Sequence, residues 1–207
     1  MSTAKSPRQT TSTDGEARDR ILAGARKHFF THGFRSVTMD DLARELGMSK
    51  KTLYAHFSSK PDLLEAAIFA KLGELESEFA EIESRCGDQV EATLREFLAC
   101  MHRHSGEIMP PFVRDMQSAA PELWRRVVAQ RAAIFERYFG KLFRDGKKAG
   151  LIREELPPQF ILEAMLALAQ QLLNPQKLME LNLTPQAALS HTLSILLHGV
   201  LLPGKAT

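Results

Sequence analysis

The sequence predicts an all-α protein built from a small N-terminal three-helix unit and a larger C-terminal helical region. Three observations carry that prediction. Apolar residues recur at helical spacing through most of the 207 residues, hydroxyl residues stand where helices need caps, and Gly and Pro mark the ends of the segments. No run of alternating β-branched residues and no long repeat breaks the pattern.

Residues 1–14 open with MSTAKSPRQTTS, a polar stretch without an apolar run. It reads as a disordered tail and carries no secretory signal. The next well-specified start is Thr38, an N-cap hydroxyl followed by Asp40 and Asp41 at the positive end of a helix dipole. Val37 and Leu42 have the spacing of a hydrophobic staple. Leu42, Ala43 and Leu46 form one apolar face, and Gly47 is the residue able to take the left-handed turn that ends the helix.

Ser49 repeats the capping logic, with Met48 and Leu53 as the staple. Leu53 and Phe57 point to a core, which leaves Lys50, Lys51, Thr52, Tyr54, Ala55 and His56 on or near the outer face. Two short helices joined by a tight Gly turn, the second opening with two lysines, make a helix-turn-helix suited to the major groove of double-stranded DNA. Lysine ammoniums reach phosphates or the guanine acceptor edge, while Thr52 and Ala55 suit a thymine methyl. Tyr54 and His56 are expected as phosphate clamps; the plainer alternative is that they cover the edge of the core.

The run Thr52-Leu53-Tyr54-Ala55-His56-Phe57, followed by Ser59-Lys60 and Leu63-Leu64, resembles the recognition helix and following helix of the TetR family of transcriptional regulators, the TetR/AcrR-like proteins. The likeness covers about residues 16 to 70 and includes a long first helix with Ile21, Leu22, Ala25 and Phe29, then Gly33-Phe34. It implies base contacts near Lys50, Lys51, Thr52 and Ala55, and phosphate contacts from Thr38, Tyr54, His56 and Lys60. Lys60 stands at the N-terminus of the next helix, where its ammonium and the amides after Ser59 are placed to converge on one phosphate. The expected organisation is a helix-turn-helix DNA-binding domain at 15–60 and a helical effector-binding and dimerisation domain at 61–207.

Charge agrees with this division. Residues 1–60 hold 11 Lys plus Arg and 6 Asp plus Glu, a balance of +5, and the remainder balances to −3. The asymmetry is more informative than the overall +2. Arg18, Arg20, Arg26 and Lys27 either extend a phosphate footprint or form a solvated face.

Residues 61 to about 83 read as a connecting helix that leaves the DNA-binding unit. After Gly87, Val90, Leu94, Phe97, Leu98 and Met101 mark another helix. Gly106 and Pro110-Pro111 interrupt the chain before a short segment with Phe112, Val113 and Met116. Pro121 opens a long helix rich in large apolar groups, expected to close at Gly146 and Gly150.

Residues 158–173 carry a single charge, Glu163, and like residues 186–202 are apolar on more than one face. Such helices need burial on two sides, which a homodimer with a two-fold four-helix bundle provides. Residues 184–203 contain no charged side chain, but Ser, Thr, His and Gln interrupt them too often for a membrane span, and Pro185 and Pro203 bracket them. No membrane association is expected. With only Cys86 and Cys100 and no export signal, a reduced cytoplasmic protein is expected.

Met101, His104, Phe112, Met116, Trp124, Phe135, Tyr138 and Met165, with His102 and Met109 nearby, are the candidates for lining a pocket for a small apolar or aromatic effector. Met and aromatic residues at this spacing also serve as plain core. Cys100 and His104 stand four apart on one helix, but His102 falls on another face and no second ligand cluster is visible, so no metal is expected. No phosphate loop, nucleophile elbow or zinc-protease pair is present, so neither catalysis nor a cofactor is expected. The reading is a homodimeric repressor released from a palindromic operator by its ligand. The alternatives are an activator or partner-controlled regulator, and a helical small-molecule binder with vestigial DNA binding.

Overall fold

The computed structural model describes residues 10–87, 89–172 and 175–200. Within them the chain forms α1 (Thr10–His32), α2 (Met39–Glu45), α3 (Lys50–His56), α4 (Lys60–Cys86), α5 (Val90–Gly106), α6 (Pro110–Ala119), α7 (Pro121–Lys148), α8 (Pro158–Leu172), α9 (Pro175–Glu180) and α10 (Pro185–Val200). The first helix starts inside the expected tail, because its backbone is already helical from Thr10; residues 1–9 lie outside the described residues.

Three consecutive helices start on hydroxyl caps. Thr38 Oγ1 accepts from the Asp41 amide at 3.1 Å, and Asp41 Oδ2 accepts in return from the Thr38 amide, completing a capping box. Ser49 Oγ accepts from the Thr52 amide at 3.0 Å, and Ser59 Oγ from the Asp62 amide at 3.2 Å. Gly47 takes φ +63 between α2 and α3, the left-handed turn expected of it.

Two apolar cores result. The first holds Ile21, Ala25, Phe29, Leu42, Leu53 and Phe57, together with Leu63, Leu64, Ala67 and Ile68 from α4 and Phe112 and Met116 from α6. The second is an aromatic stack of Phe79, Phe97, Phe135, Tyr138 and Phe139, with Ile161, Leu162, Leu189 and Leu193 closing over it from α8 and α10. Helix α4 belongs to both. The border expected between residues 60 and 61 therefore falls at the first turn of a helix whose next two turns are still part of the first core.

The long helix α7 does not close at Gly146. It runs on to Lys148 and turns at Gly150, at φ +66. Gly146 is a packing position instead: an added Cβ would meet Ile152 Cδ1 at 3.0 Å and Val90 Cγ1 at 3.2 Å, so the missing side chain lets neighbouring elements approach. The short α9 carries no clear sequence signal of its own. Helices α8 and α10 pack together and match the segments singled out for dimerisation, except that residues 173 and 201–202 lie outside the described residues. Among the described residues no helix is long and apolar enough to cross a membrane.

Candidate nucleic-acid interface and effector cavity

Helix α3 divides cleanly into an inner and an outer side. Leu53 is fully buried and Phe57 nearly so, which fixes the rotation of the helix, while Lys50, Lys51, Thr52, Tyr54 and Ala55 are exposed together with the Ser49 cap. Tyr54 is 48% exposed, a large exposure for an aromatic ring on a short helix with a packed inner side. Lys50 lies 2.5 Å from Asp40 across the turn, an exposed pair that contributes little to holding either side chain. Thr38 is exposed at the entry to α2, its hydroxyl shared with Asp41. The Thr38 hydrogen bonds, helped by the Arg44 guanidinium, hold the Asp41 carboxyl below its ordinary value against an opposing effect of burial.

Two of the expected phosphate ligands sit differently. Lys60 points back into the fold: its ammonium donates to the Phe34 carbonyl at 3.0 Å and the Val37 carbonyl at 2.9 Å, and lies 4.4 Å from the centre of the Phe34 ring. Burial draws its pKa down, and the Asp115 carboxylate acts in the opposite direction. Lys60 therefore ties the α1–α2 connection to the start of α4. The sequence places the residue at a helix N-terminus but gives no sign of the carbonyls waiting there. His56 is also half-buried, with Nδ1 3.7 Å from Asp14, so it covers the core edge more than it faces outward. Of the α1 cations, Arg18 lies over Phe57, Arg20 donates to the Leu46 carbonyl and Arg26 pairs with Glu74, whereas Lys27 is exposed. The first three stabilise the unit before they extend any footprint.

The seam between the two cores contains a cavity of about 140 Å3. Its wall takes Phe30 from α1, Leu72 and Leu75 from α4, and Met101, His104, Phe112, Trp124 and Phe135 from the candidate set. The other three candidates are core. Met116 is fully buried in the first cluster. Tyr138 packs edge-to-face with Phe79 and Phe97 at 5.4 and 5.9 Å between ring centres, and its hydroxyl donates to the Glu76 carbonyl. Met165 lines a separate gap of about 10 Å3, too small for a ligand. Helical spacing alone does not distinguish the cavity-facing positions from those one turn away that face another helix. The cavity also takes Lys71 and Arg131, which the sequence reading missed because charged residues on amphipathic helices look like solvated faces.

Behind the cavity, Glu78 of α4 meets Cys100 and His104 of α5, their candidate ligand atoms all within 4.8 Å of one another. Glu78 lies 22 positions from Cys100, so sequence spacing did not place it beside the Cys100 and His104 pair. Glu78 accepts from His104 Nε2 at 2.8 Å, Arg103 at 2.9 Å and the Cys100 thiol at 3.3 Å. Burial raises the Glu78 carboxyl, but these three donors outweigh it and bring the group down to about 2. Burial and the facing carboxylate together push the Cys100 thiol up to about 12. The trio works as a hydrogen-bond network that fixes the His104 ring. His102 lies apart and interacts with Ser190 and Gln186.

Residues 21–67 match the family model described as bacterial regulatory proteins, tetR family. The N-terminal unit is of the TetR-family type. The matched segment begins at Ile21 and ends at Ala67, both members of the first core, so family and structure outline the same unit. Among curated proteins, the HTH-type transcriptional regulator YvaF of Bacillus subtilis is 46% identical over 68 residues, 31% of this chain and 35% of that protein. The HTH-type transcriptional repressor AcnR of Corynebacterium diphtheriae is 26% identical over 140 residues, 68% of this chain and 70% of that one. The chain spans between a third and just over a half of the length of the first curated relatives it matches. A TetR-family regulator structure from Agrobacterium tumefaciens superposes with a TM-score of 0.70 over 91% of this chain and all of that one, at 16% identity. That likeness extends the shared fold through the C-terminal helices.

Proposed function

We propose that this TetR-family chain is a sequence-specific DNA-binding regulator, acting as a homodimeric repressor on a palindromic operator and released by a small molecule entering the cavity. The observation that carries the reading is the outer side of α3. Buried Leu53 and Phe57 hold it rigidly, and an exposed Lys50, Lys51, Thr52, Tyr54 and Ala55 are presented together.

Dimerisation is supported by apolar side chains left in solvent on α8 and α10, with Phe160 63% and Ile195 73% exposed. A dimer that reads a palindrome needs its two recognition helices about one DNA turn, roughly 34 Å, apart. Coupling is supported by the wall of the cavity, which joins residues of both cores and the middle of α4. A ligand that prefers one setting of α4 by about 1–3 kcal/mol changes operator affinity by the same free energy.

The test is selection of bound fragments from random-sequence DNA at near-physiological salt, where non-specific phosphate binding is suppressed. Enrichment of a palindrome with half-sites one turn or a multiple apart is the expected outcome. A protein that enriches nothing, and whose affinity is unchanged by Tyr54→Ala, is not a sequence-specific regulator.

A further inference from the structure

Three ionisable side chains reach the wall of the cavity: Lys71, His104 and Arg131. Two are answered by the fold. Lys71 Nζ lies 2.5 Å from Glu107 Oε1, and His104 Nε2 lies 2.8 Å from Glu78 Oε1. Arg131 has no such partner: among the described residues it makes no hydrogen bond and no ion pair. Burial draws its pKa down, and no neighbouring charge acts on it in either direction. A lysine in that position can shed its proton, but a guanidinium keeps its charge. An unpaired charge against an apolar wall is costly unless an anion meets it. His104 is the other lining residue with an unmatched atom, since its Nδ1 is buried without a partner.

We propose that the cavity binds a compact apolar monocarboxylate, an aryl or branched-alkyl acid of about benzoate size, with its carboxylate on Arg131 and its body against Trp124, Phe135, Met101 and Leu72. The planar guanidinium fork matches a carboxylate bidentately, which a lysine or an amide cannot reproduce. The cavity volume of about 140 Å3 suits one ring or a branched chain of similar bulk, since an apolar protein cavity of about 150 Å3 holds benzene.

The inference rests on reading the cavity as the effector site, but its test needs no DNA. Trp124 is the single tryptophan of the chain and stands on the cavity wall, so its fluorescence reports occupancy directly. Benzoate and phenylacetate are titrated beside the neutral isosteres benzamide and phenylacetamide, with the wild type, Arg131→Met, Arg131→Gln and Arg131→Lys. The acids are expected to bind the wild type about tenfold or more tighter than the amides, as charge-assisted bonds exceed neutral ones. That preference is expected to vanish in Arg131→Met and Arg131→Gln and to survive in part in Arg131→Lys. Both neutral variants are expected to melt no lower than the wild type, because each removes an unpaired charge. Equal binding of acid and amide, an acid preference that survives Arg131→Met, or no binding of either acid at millimolar concentration would overturn the proposal. A palindrome enriched by a protein without acid preference rejects the ligand class and keeps the regulator. Acid preference without any enriched DNA does the reverse.

Discussion

The Asp115 carboxylate accepts a hydrogen bond from the Arg35 amide at 2.8 Å, joining α6 to the connection between α1 and α2 across 80 residues of sequence. Asp115 is buried, and its Oδ2 would lie 2.6 Å from a Cβ placed on Gly33, which is held at φ +87. Replacing Asp115 by Ala leaves the Arg35 amide without its acceptor. The expected loss is about 1.5–3 kcal/mol of unfolding free energy, the range for hydrogen bonds to charged groups. Asp115→Asn keeps an acceptor and should cost less. Gly33→Ala meets both the close approach and the left-handed backbone, and should cost at least about 1–2 kcal/mol. Urea unfolding of the three variants checks the order.

Lys60 and Lys51 should separate in their response to salt. Lys51 is exposed on α3, whereas the Lys60 ammonium is spent on the Phe34 and Val37 carbonyls. Lys51→Met is expected to reduce the slope of log affinity against log salt by about 1, the signature of a lost phosphate contact. Lys60→Met should leave the slope unchanged and lower the thermal midpoint. The reverse result would return Lys60 to the phosphate backbone.

Acid stability should depend on Glu78. Its folded carboxyl sits at about 2 against an ordinary value of 4.5. A depressed folded value means the stabilisation is present above 4.5 and is lost as pH falls towards 2. Glu78→Gln should therefore flatten the stability profile between those pH values. An unaltered acid limb would show that the His104, Arg103 and Cys100 contacts contribute nothing in solution.

The two thiols should react in a fixed order. Cys100 is fully buried and pushed up to about 12, while Cys86 is half-buried at the end of α4. Iodoacetamide at neutral pH is expected to label Cys86 and leave Cys100 unmodified until the protein unfolds, because the thiolate is the reactive form. Mass spectrometry of digested samples gives the ratio. The raised Cys100 value also stabilises the fold below an ordinary thiol value of 9.0, and that contribution is lost as pH rises from there through 12.

Ile195→Arg and Phe160→Arg should each convert a dimer to a monomer in sedimentation equilibrium, with little loss of monomer stability, since both positions are in solvent. Dimers that persist in both variants would place the interface elsewhere.

The helix-turn-helix was legible because its determinants are local. Thr38, Ser49 and Gly47 act within a turn of where they stand, and Leu53 and Phe57 set one face by spacing alone. The cavity was only half legible. Five of its eight candidates line it, but Tyr138 and Met165 are turned to another helix by tertiary packing. Charges hid the most. Lys60 and Arg131 look alike in sequence as cations on helices, yet among the described residues one is satisfied by two carbonyls and the other by nothing. Pairing of that kind is decided by which distant backbone or carboxylate the fold brings near, and no periodicity records it.

Helix α4 has 27 residues and is gripped near its middle, where Ile68, Lys71, Leu72 and Leu75 face the cavity. It therefore behaves as a beam on a central support. At a rise of about 1.5 Å per residue, its Ser59 end lies about 18 Å from Lys71, so a tilt of about 5° displaces that end by roughly 1.6 Å. In the proposed two-fold pair the displacements add to about 3 Å, close to the roughly 3.4 Å of helix axis per phosphate of one DNA strand. On the proposed function, a guest no larger than one aromatic ring thus has the mechanical reach to put the two recognition helices of a dimer out of step by about one base pair.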